Sequence, residues 1–273
     1  MGPYGERRGV PARETTVERP RHRRRLVLAG LAAAGAGLSA AGWTLLATPT
    51  IANRTAPASG NDAGTVARGR RLPSTGPLTY VAIGASDATG AGVADPRRDG
   101  WVAVFARELP PSLQPVRLIN LGIPGSTLRR ALAEQLPRAV EVQPHLVTVW
   151  LVVNDALAGV SLADYAADLD QLLDQLRTRT SAVVAIGNAP YPPASLDPWG
   201  LPEAVRRAAA MAWNTVIARA ARKHGAVLVD IYTQWPLVEH PEYIGPDGLH
   251  PTAAGYRALA GVFHAALRAE GVL

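Results

Sequence analysis

The sequence predicts an α/β domain in which a five-stranded parallel sheet is covered by helices on both faces. Two patterns predict it: short, wholly apolar runs bounded by Gly, Pro, Asn or Asp, and longer amphipathic stretches between them. A third observation places that domain late in the chain, because the residues before Leu78 differ in composition from those after it.

The chain begins with a basic block. Residues 1–25 hold eight arginines against three glutamates. From Leu26 to Ala47 there are 22 uncharged residues, which as a helix would span roughly 30 Å, the apolar thickness of a bilayer. Arginines on its N-terminal flank would hold that end in the cytoplasm. Residues 1–25 are therefore read as a basic cytoplasmic tail and 26–47 as a single-pass membrane anchor, with the rest of the chain outside the cytoplasm. The rival reading is a signal segment cleaved near Thr50-Ile51-Ala52, which would give a secreted protein. Such segments have an apolar region of about 7–15 residues, which favours the anchor. Residues 48–77 contain Pro49, Pro57, Pro73 and Pro77 with few large apolar groups, and read as a flexible linker. The folded domain is expected over 78–273.

Within it, strand runs occur at Tyr80–Gly84, Val116–Leu121, Leu146–Val153, Ala182–Gly187 and Ala226–Ile231. Leu162, Tyr165, Ala166, Leu169, Leu172, Leu173 and Leu176 keep one helix face apolar, and Ser161 with Asp164 can cap its start. Val205, Ala208, Ala209, Ala212, Val216, Ile217 and Ala220 repeat that stripe. Tyr256, Leu259, Ala260, Phe263 and Leu267 mark a final helix. Strands alternating with helices imply right-handed crossovers and a parallel sheet.

Charge excludes one class of function. The net charge of +6 comes almost wholly from the N-terminal block, leaving 20 basic and 19 acidic side chains in the other 248 residues. A body so close to neutral gives no reason to expect nucleic acid as a partner. With no cysteine, the chain has neither disulfides nor a thiol nucleophile.

In open α/β sheets, ligands bind beyond the carboxyl ends of the strands. Gly84-Ala85-Ser86-Asp87 follows the first strand, Asn120 to Ser126 the second, and Asn154-Asp155 the third. Asp247-Gly248-Leu249-His250-Pro251 follows the fifth beyond a longer loop. Each has an ordinary structural reading as a cap or a turn. Together they supply what acyl transfer needs. Ser86 offers a hydroxyl, His250 a base, and Asp247 a carboxylate able to fix the ring tautomer. The backbone N–H groups of Ser86 and Gly125 and the side-chain amide of Asn154 offer oxyanion donors. Asp87 is expected at a helix start, its carboxylate capping the first turn.

These four blocks resemble the SGNH hydrolases, also called the GDSL lipase/esterase family, over essentially all of residues 79–270. Ser86 matches the serine of that family's first block, Gly125 the glycine of its second, Asn154 the asparagine of its third, and Asp247 with His250 its last. The resemblance implies a flavodoxin-like three-layer α/β/α fold and ester hydrolysis by Ser, His and Asp, with no metal and no cofactor. Two departures stand out. The usual Gly-Asp-Ser reads Gly84-Ala85-Ser86, and the usual Gly-Gly-Asn-Asp reads Val152-Val153-Asn154-Asp155, which would reshape the pocket wall.

Other chemistries fit less well. No G-x-S-x-G elbow, Gly-Lys-[Ser/Thr] loop, full dinucleotide fingerprint or H-E-x-x-H pattern is present, and His240, Asp247 and His250 are too loosely spaced for a metal set. His145, His224 and His264 read as structural. The expected activity is that of a serine ester hydrolase, working as a monomer on a small-molecule, glycan or lipid ester and tied to the membrane through residues 26–47. The competing class is a non-catalytic module binding glycan or cell wall on the same scaffold. Residues 188–200 and 232–246, with Tyr191, Trp199, Tyr232, Trp235 and Tyr243, are expected beside the site, where they would either shape it or simply pack.

Overall fold

The computed structural model describes residues 70–197 and 200–273. The basic tail, the segment read as an anchor or signal, and residues 48–69 of the linker lie outside the described residues. Among those described, no helix is long and apolar enough to cross a membrane.

In chain order the elements are β1 (Leu78–Gly84), α1 (Pro96–Asp99), α2 (Trp101–Arg107), β2 (Val116–Asn120), α3 (Leu128–Glu134), α4 (Leu136–Glu141), β3 (Leu146–Trp150), α5 (Val153–Leu157) and α6 (Leu162–Arg179). They continue with β4 (Val183–Gly187), α7 (Glu203–His224), β5 (Val227–Val229), α8 (Ile231–Gln234) and α9 (Ala253–Ala269). The five strands form one parallel sheet in the order β2-β1-β3-β4-β5. The chain reverses its direction of travel across the sheet between β1 and β3, the switch point at which such folds open a crevice.

Burial explains the order. Every residue of β3 and β4 is buried, as apolar runs with no polar face require. The edge strands are different: β2 is only part-buried, and β5 is three residues long. α2 packs with α9, while α3, α4, α6 and α7 pack among themselves, giving two helical layers with the sheet between them. Between sheet and helices, Trp101 stacks on Phe263 at 4.5 Å and Tyr80 meets Phe105 edge-on at 5.2 Å.

Several boundaries differ from the pattern-based expectation. The run Leu146–Val153 leaves the sheet after Trp150, because β1, its partner, ends at Gly84 in register with that residue. Val153 and Asn154 then begin α5. The run Ala226–Ile231 likewise yields only Val227–Val229, with Asp230 capping α8 by accepting from Thr233 N–H. α6 starts as expected, Ser161 accepting from Asp164 N–H at 3.0 Å. On α7 the buried face is Ala210, Trp213, Ile217, Ala220 and Ala221, while Val205 is exposed. A helix this rich in alanine carries little period of its own, so the one large ring, Trp213, sets its rotation. All five apolar residues expected on α9 are buried.

Residues 70–77, at the end of the predicted linker, are bonded to the domain. Arg70 donates to the carbonyls of Ala182, at 3.0 Å, and of Arg177. Gly76 N–H reaches the Ser112 carbonyl at 2.9 Å.

Candidate active site

The turn after β1 carries Ser86. It is wound tightly: Thr89 N–H bonds Ala85 O, Ala91 N–H bonds Ser86 O, and the Tyr256 hydroxyl of α9 donates to Ala91 O at 2.7 Å. Asn120 at the end of β2 braces it from the other side, its Nδ2 donating to Ala88 O and its Oδ1 accepting from Gly122 N–H. The Ser86 backbone N–H has no acceptor among the described residues.

His250 reaches this turn from a loop 164 positions later in the chain. Its Nε2 lies 2.9 Å from Ser86 Oγ, and its Nδ1 lies 2.7 Å from Asp247 Oδ2. The other Asp247 oxygen, Oδ1, accepts from Leu249 N–H and His250 N–H at 3.0 and 2.9 Å. Partial burial by itself would raise this carboxyl, but those two N–H groups and the His250 ring more than offset it and hold it below the usual carboxylate range. Gly92 backs the ring: at φ +94° it suits only glycine, and a Cβ there would fall 2.9 Å from His250 Cβ.

The loop after β2 supplies Gly125, in the left-handed region at φ +71°, inside a turn closed by Ser126 N–H on Ile123 O. Its N–H has no acceptor among the described residues, but Gly125 is not among the residues lining the cavity. Asn154 does line it. One Nδ2 hydrogen goes to Ser126 O at 3.0 Å, and the second has no acceptor among the described residues. Next to it, buried Asp155 accepts from Leu128 N–H with both oxygens, at 3.2 and 3.0 Å, which joins α5 to the start of α3.

Asp87 departs from expectation. Residues 86–92 form turns and no helix, so there is no helix start for it to cap. Its Oδ2 is shut off from solvent near the indole N–H of Trp101, and among the described residues neither atom makes a hydrogen bond of ordinary geometry. Burial pushes the carboxyl up to about 6, against weaker opposition from the N–H groups of Asp87 and Ala88 and from the Trp101 indole.

The cavity above Ser86 has a volume of about 50 Å³. Trp150, Val152, Val153, Pro190, Trp235 and Leu249 make its apolar wall. Trp150 and Trp235 meet edge-on at 6.1 Å, and the Trp150 indole donates to Asn188 O. Of the two aromatic loops, Pro190, Trp235 and Ile244 reach the wall, while Tyr191 and Tyr232 pair with each other at 6.0 Å. Trp199 lies outside the described residues.

The other histidines among the described residues are engaged elsewhere. His145 Nδ1 takes Thr79 N–H, His224 meets Asp170, His264 meets Phe105 O, and His240 stacks on Tyr243 and bonds Glu242. Among the described residues no three His, Cys, Asp or Glu side chains are grouped to hold a metal ion. Sequence reasoning missed Ser126 and Gln135, both buried polar residues joined to this site. The one available signal was a lone glutamine on the otherwise apolar face Leu128, Ala131, Leu136 and Ala139.

Known proteins resemble the chain in both sequence and shape. Esterase TesA of Pseudomonas aeruginosa is 28% identical over 109 residues, which make up 40% of this chain and 53% of that protein. The chain thus spans about half the length of this curated relative. Two solved structures share the fold. The lipase/acylhydrolase of Enterococcus faecalis superposes with a TM-score of 0.58 at 20% identity, covering 71% of this chain and 96% of that one. An acetylxylan esterase of Geobacillus stearothermophilus gives a TM-score of 0.56 at 22% identity, covering 71% and 95%. At such identities they speak for the architecture alone. The stretch from the middle of β1 to the first turns of α9, residues 82–258, matches the family as a whole, and by that match the chain belongs to the GDSL-like lipase/acylhydrolase family.

Proposed function

We propose that this protein is a serine ester hydrolase working outside the cytoplasm. Ser86 is the nucleophile, His250 the base, and Asp247 the group that orients and charges against the ring. The observation that carries this reading is the unbroken path from Ser86 Oγ to His250 Nε2 at 2.9 Å and from His250 Nδ1 to Asp247 Oδ2 at 2.7 Å. With Asp247 ionised, Nδ1 keeps its proton and Nε2 is free to take the one leaving Ser86. The serine oxygen attacks the ester carbonyl, and His250 then returns the proton to the departing alkoxide. Water, deprotonated by the same ring, releases the acid.

The negative oxygen formed during attack needs donors. The Ser86 N–H, the Gly125 N–H and the second Asn154 Nδ2 hydrogen have no acceptor among the described residues, and we assign them that role. The cavity is small and walled mostly by apolar side chains. This supports an ester of a short acyl chain, the class to which the acetyl substrate named for the Geobacillus enzyme belongs. Residues 26–47 serve as the anchor, and the active form is a monomer.

A fluorophosphonate probe tests the assignment. It should label the full-length chain at Ser86, and Ser86→Ala should abolish both labelling and turnover of p-nitrophenyl acetate. Labelling at Ser126 or Ser195 would overturn it, and a complete lack of labelling and turnover would point to a binding module. For placement, protease added outside intact cells should digest the domain while full-length protein fractionates with membranes. Recovery in the cytosol would refute that part.

A further inference from the structure

We propose that Gln135 is a positioning residue for hydrolysis, holding the segments that carry the oxyanion donors in a single arrangement. The inference rests on the roles assigned above to Ser86, Gly125 and Asn154.

Gln135 sits between α3 and α4 and is 1% exposed, among Leu128, Ala131, Leu136 and Ala139 on the face turned to the sheet. A polar side chain placed there must satisfy itself, and this one does. Its Oε1 accepts from Gly84 N–H at 3.0 Å. Its Nε2 donates one hydrogen to Gly84 O and the other to Ser126 Oγ, both at 3.0 Å. These partners fix the amide's orientation, since the reverse one would set an oxygen against Gly84 O.

The partners lie where the chemistry is assigned. Gly84 is the last residue of β1, two before Ser86. Ser126 follows Gly125, and its carbonyl holds the Asn154 amide at 3.0 Å. One buried carboxamide therefore touches the nucleophile turn and the Gly125 loop directly, and reaches Asn154 through Ser126. A role confined to stability would be met by the two bonds to Gly84. The third bond is what ties the donors to one another. Oxyanion stabilisation depends on such placement, and an error of about 1 Å in a reacting geometry costs on the order of 100-fold in rate.

Steady-state kinetics of the full-length chain on p-nitrophenyl acetate, with circular dichroism to give the folded fraction, tests this. Gln135→Met keeps the volume and removes all three bonds. Its kcat per folded molecule should fall about 10–100-fold, with KM within about threefold of wild type. Gln135→Glu retains the acceptor for Gly84 N–H but, once ionised, sets an oxygen against Gly84 O and Ser126 Oγ. Its kcat relative to wild type should therefore decline as pH rises. Ser126→Ala leaves the Gly84 pair intact, should lower kcat several-fold, and should add little on top of Gln135→Met. Folded variants with wild-type kcat and only a lower Tm would overturn the proposal, and so would a flat pH ratio for Gln135→Glu. Should Gln135→Met not fold, Ser126→Ala at wild-type kcat is equally decisive against it. Ser86→Ala separates the two layers of argument. If that variant keeps its turnover, the site assignment itself fails. If it is dead while the Gln135 variants are fully active, only the positioning role fails.

Discussion

The two halves of the proposed catalytic relay are held in place by different means. On the nucleophile side, Gly84, Ser126, Leu128, Gln135, Asn154 and Asp155 come from four separate stretches of chain and are joined by hydrogen bonds, mostly buried, that span 9 to 51 positions. On the base side, the segment 244–251 holds itself. Asp247 binds N–H groups two and three residues ahead, Gly245 N–H meets His250 O at 2.8 Å, Gly248 turns at φ +76°, and Ile244 bridges to Pro251. The Asp247 side chain is 49% exposed, whereas Asp155 is 1% exposed. A preorganised oxyanion site needs a rigid wall, and a proton shuttle needs a ring with a fixed tautomer and access to water; each half has the construction its proposed task would require.

This contrast can be broken most sharply at Asp247. Asp247→Asn keeps an acceptor for the backbone N–H groups but loses the charge behind the ring. Its kcat should fall roughly 10²–10⁴-fold, while Tm stays within about 2 °C of wild type. A large drop in Tm would mean that the loop depends on this carboxylate for more than chemistry. Asn154→Ala comes next, with an expected loss in kcat of about 10²–10³-fold and a smaller change in KM. An unchanged kcat would remove Asn154 from the site.

Asp155→Ala tests the other arm of the comparison, because there stability and rate should fall together. It strands Leu128 N–H at the start of α3, and urea melts should show a loss of about 2–4 kcal/mol. A variant with the stability of wild type would show that the buried network is not what makes this half rigid.

Asp87 gives a pH test in the same region. Its carboxyl is pushed up to about 6 when folded, from an ordinary value of 3.8. Between those values the native state keeps a proton that the unfolded chain has lost, so stability declines as pH rises through that window and stays reduced above it. Asp87→Asn should therefore be more stable than wild type by on the order of 1–3 kcal/mol at pH 7, and no more stable below about pH 4. An equal gain at both ends would locate its cause in packing. The smallest effect is expected at the cavity wall. Trp235→Ala should raise octanoate over acetate in kcat/KM about tenfold, and an unchanged ratio would take Trp235 out of the acyl pocket.

What was legible in the sequence follows the same division. Asp247 and His250 could be paired from their spacing, since three residues of a tight turn suffice to bring them together. The five strands could be counted because runs such as Leu146–Trp150 have no polar face to hide. The end of β3 could not be placed, because Leu151, Val152 and Val153 continue the apolar run while the register with Gly84 terminates the strand. Nor could the face of α7, where alanines outnumber the one ring that decides it. Gln135 was out of reach for a deeper reason: its partners lie 51 positions before it and 9 before it, on elements that only the closed sheet brings together. Asp87, expected at a helix start, points inward instead, because the turn it occupies never becomes a helix.

The two hydrogen bonds made by Arg70 have a geographical consequence. Ala182 directly precedes β4, and Arg177 closes the last turn of α6, so both carbonyls lie at the amino ends of the strands. Ser86 and Asn154 lie at the carboxyl ends. The chain therefore enters the domain at one pole and the cavity opens at the other, separated by the length of the strands, roughly 17–20 Å.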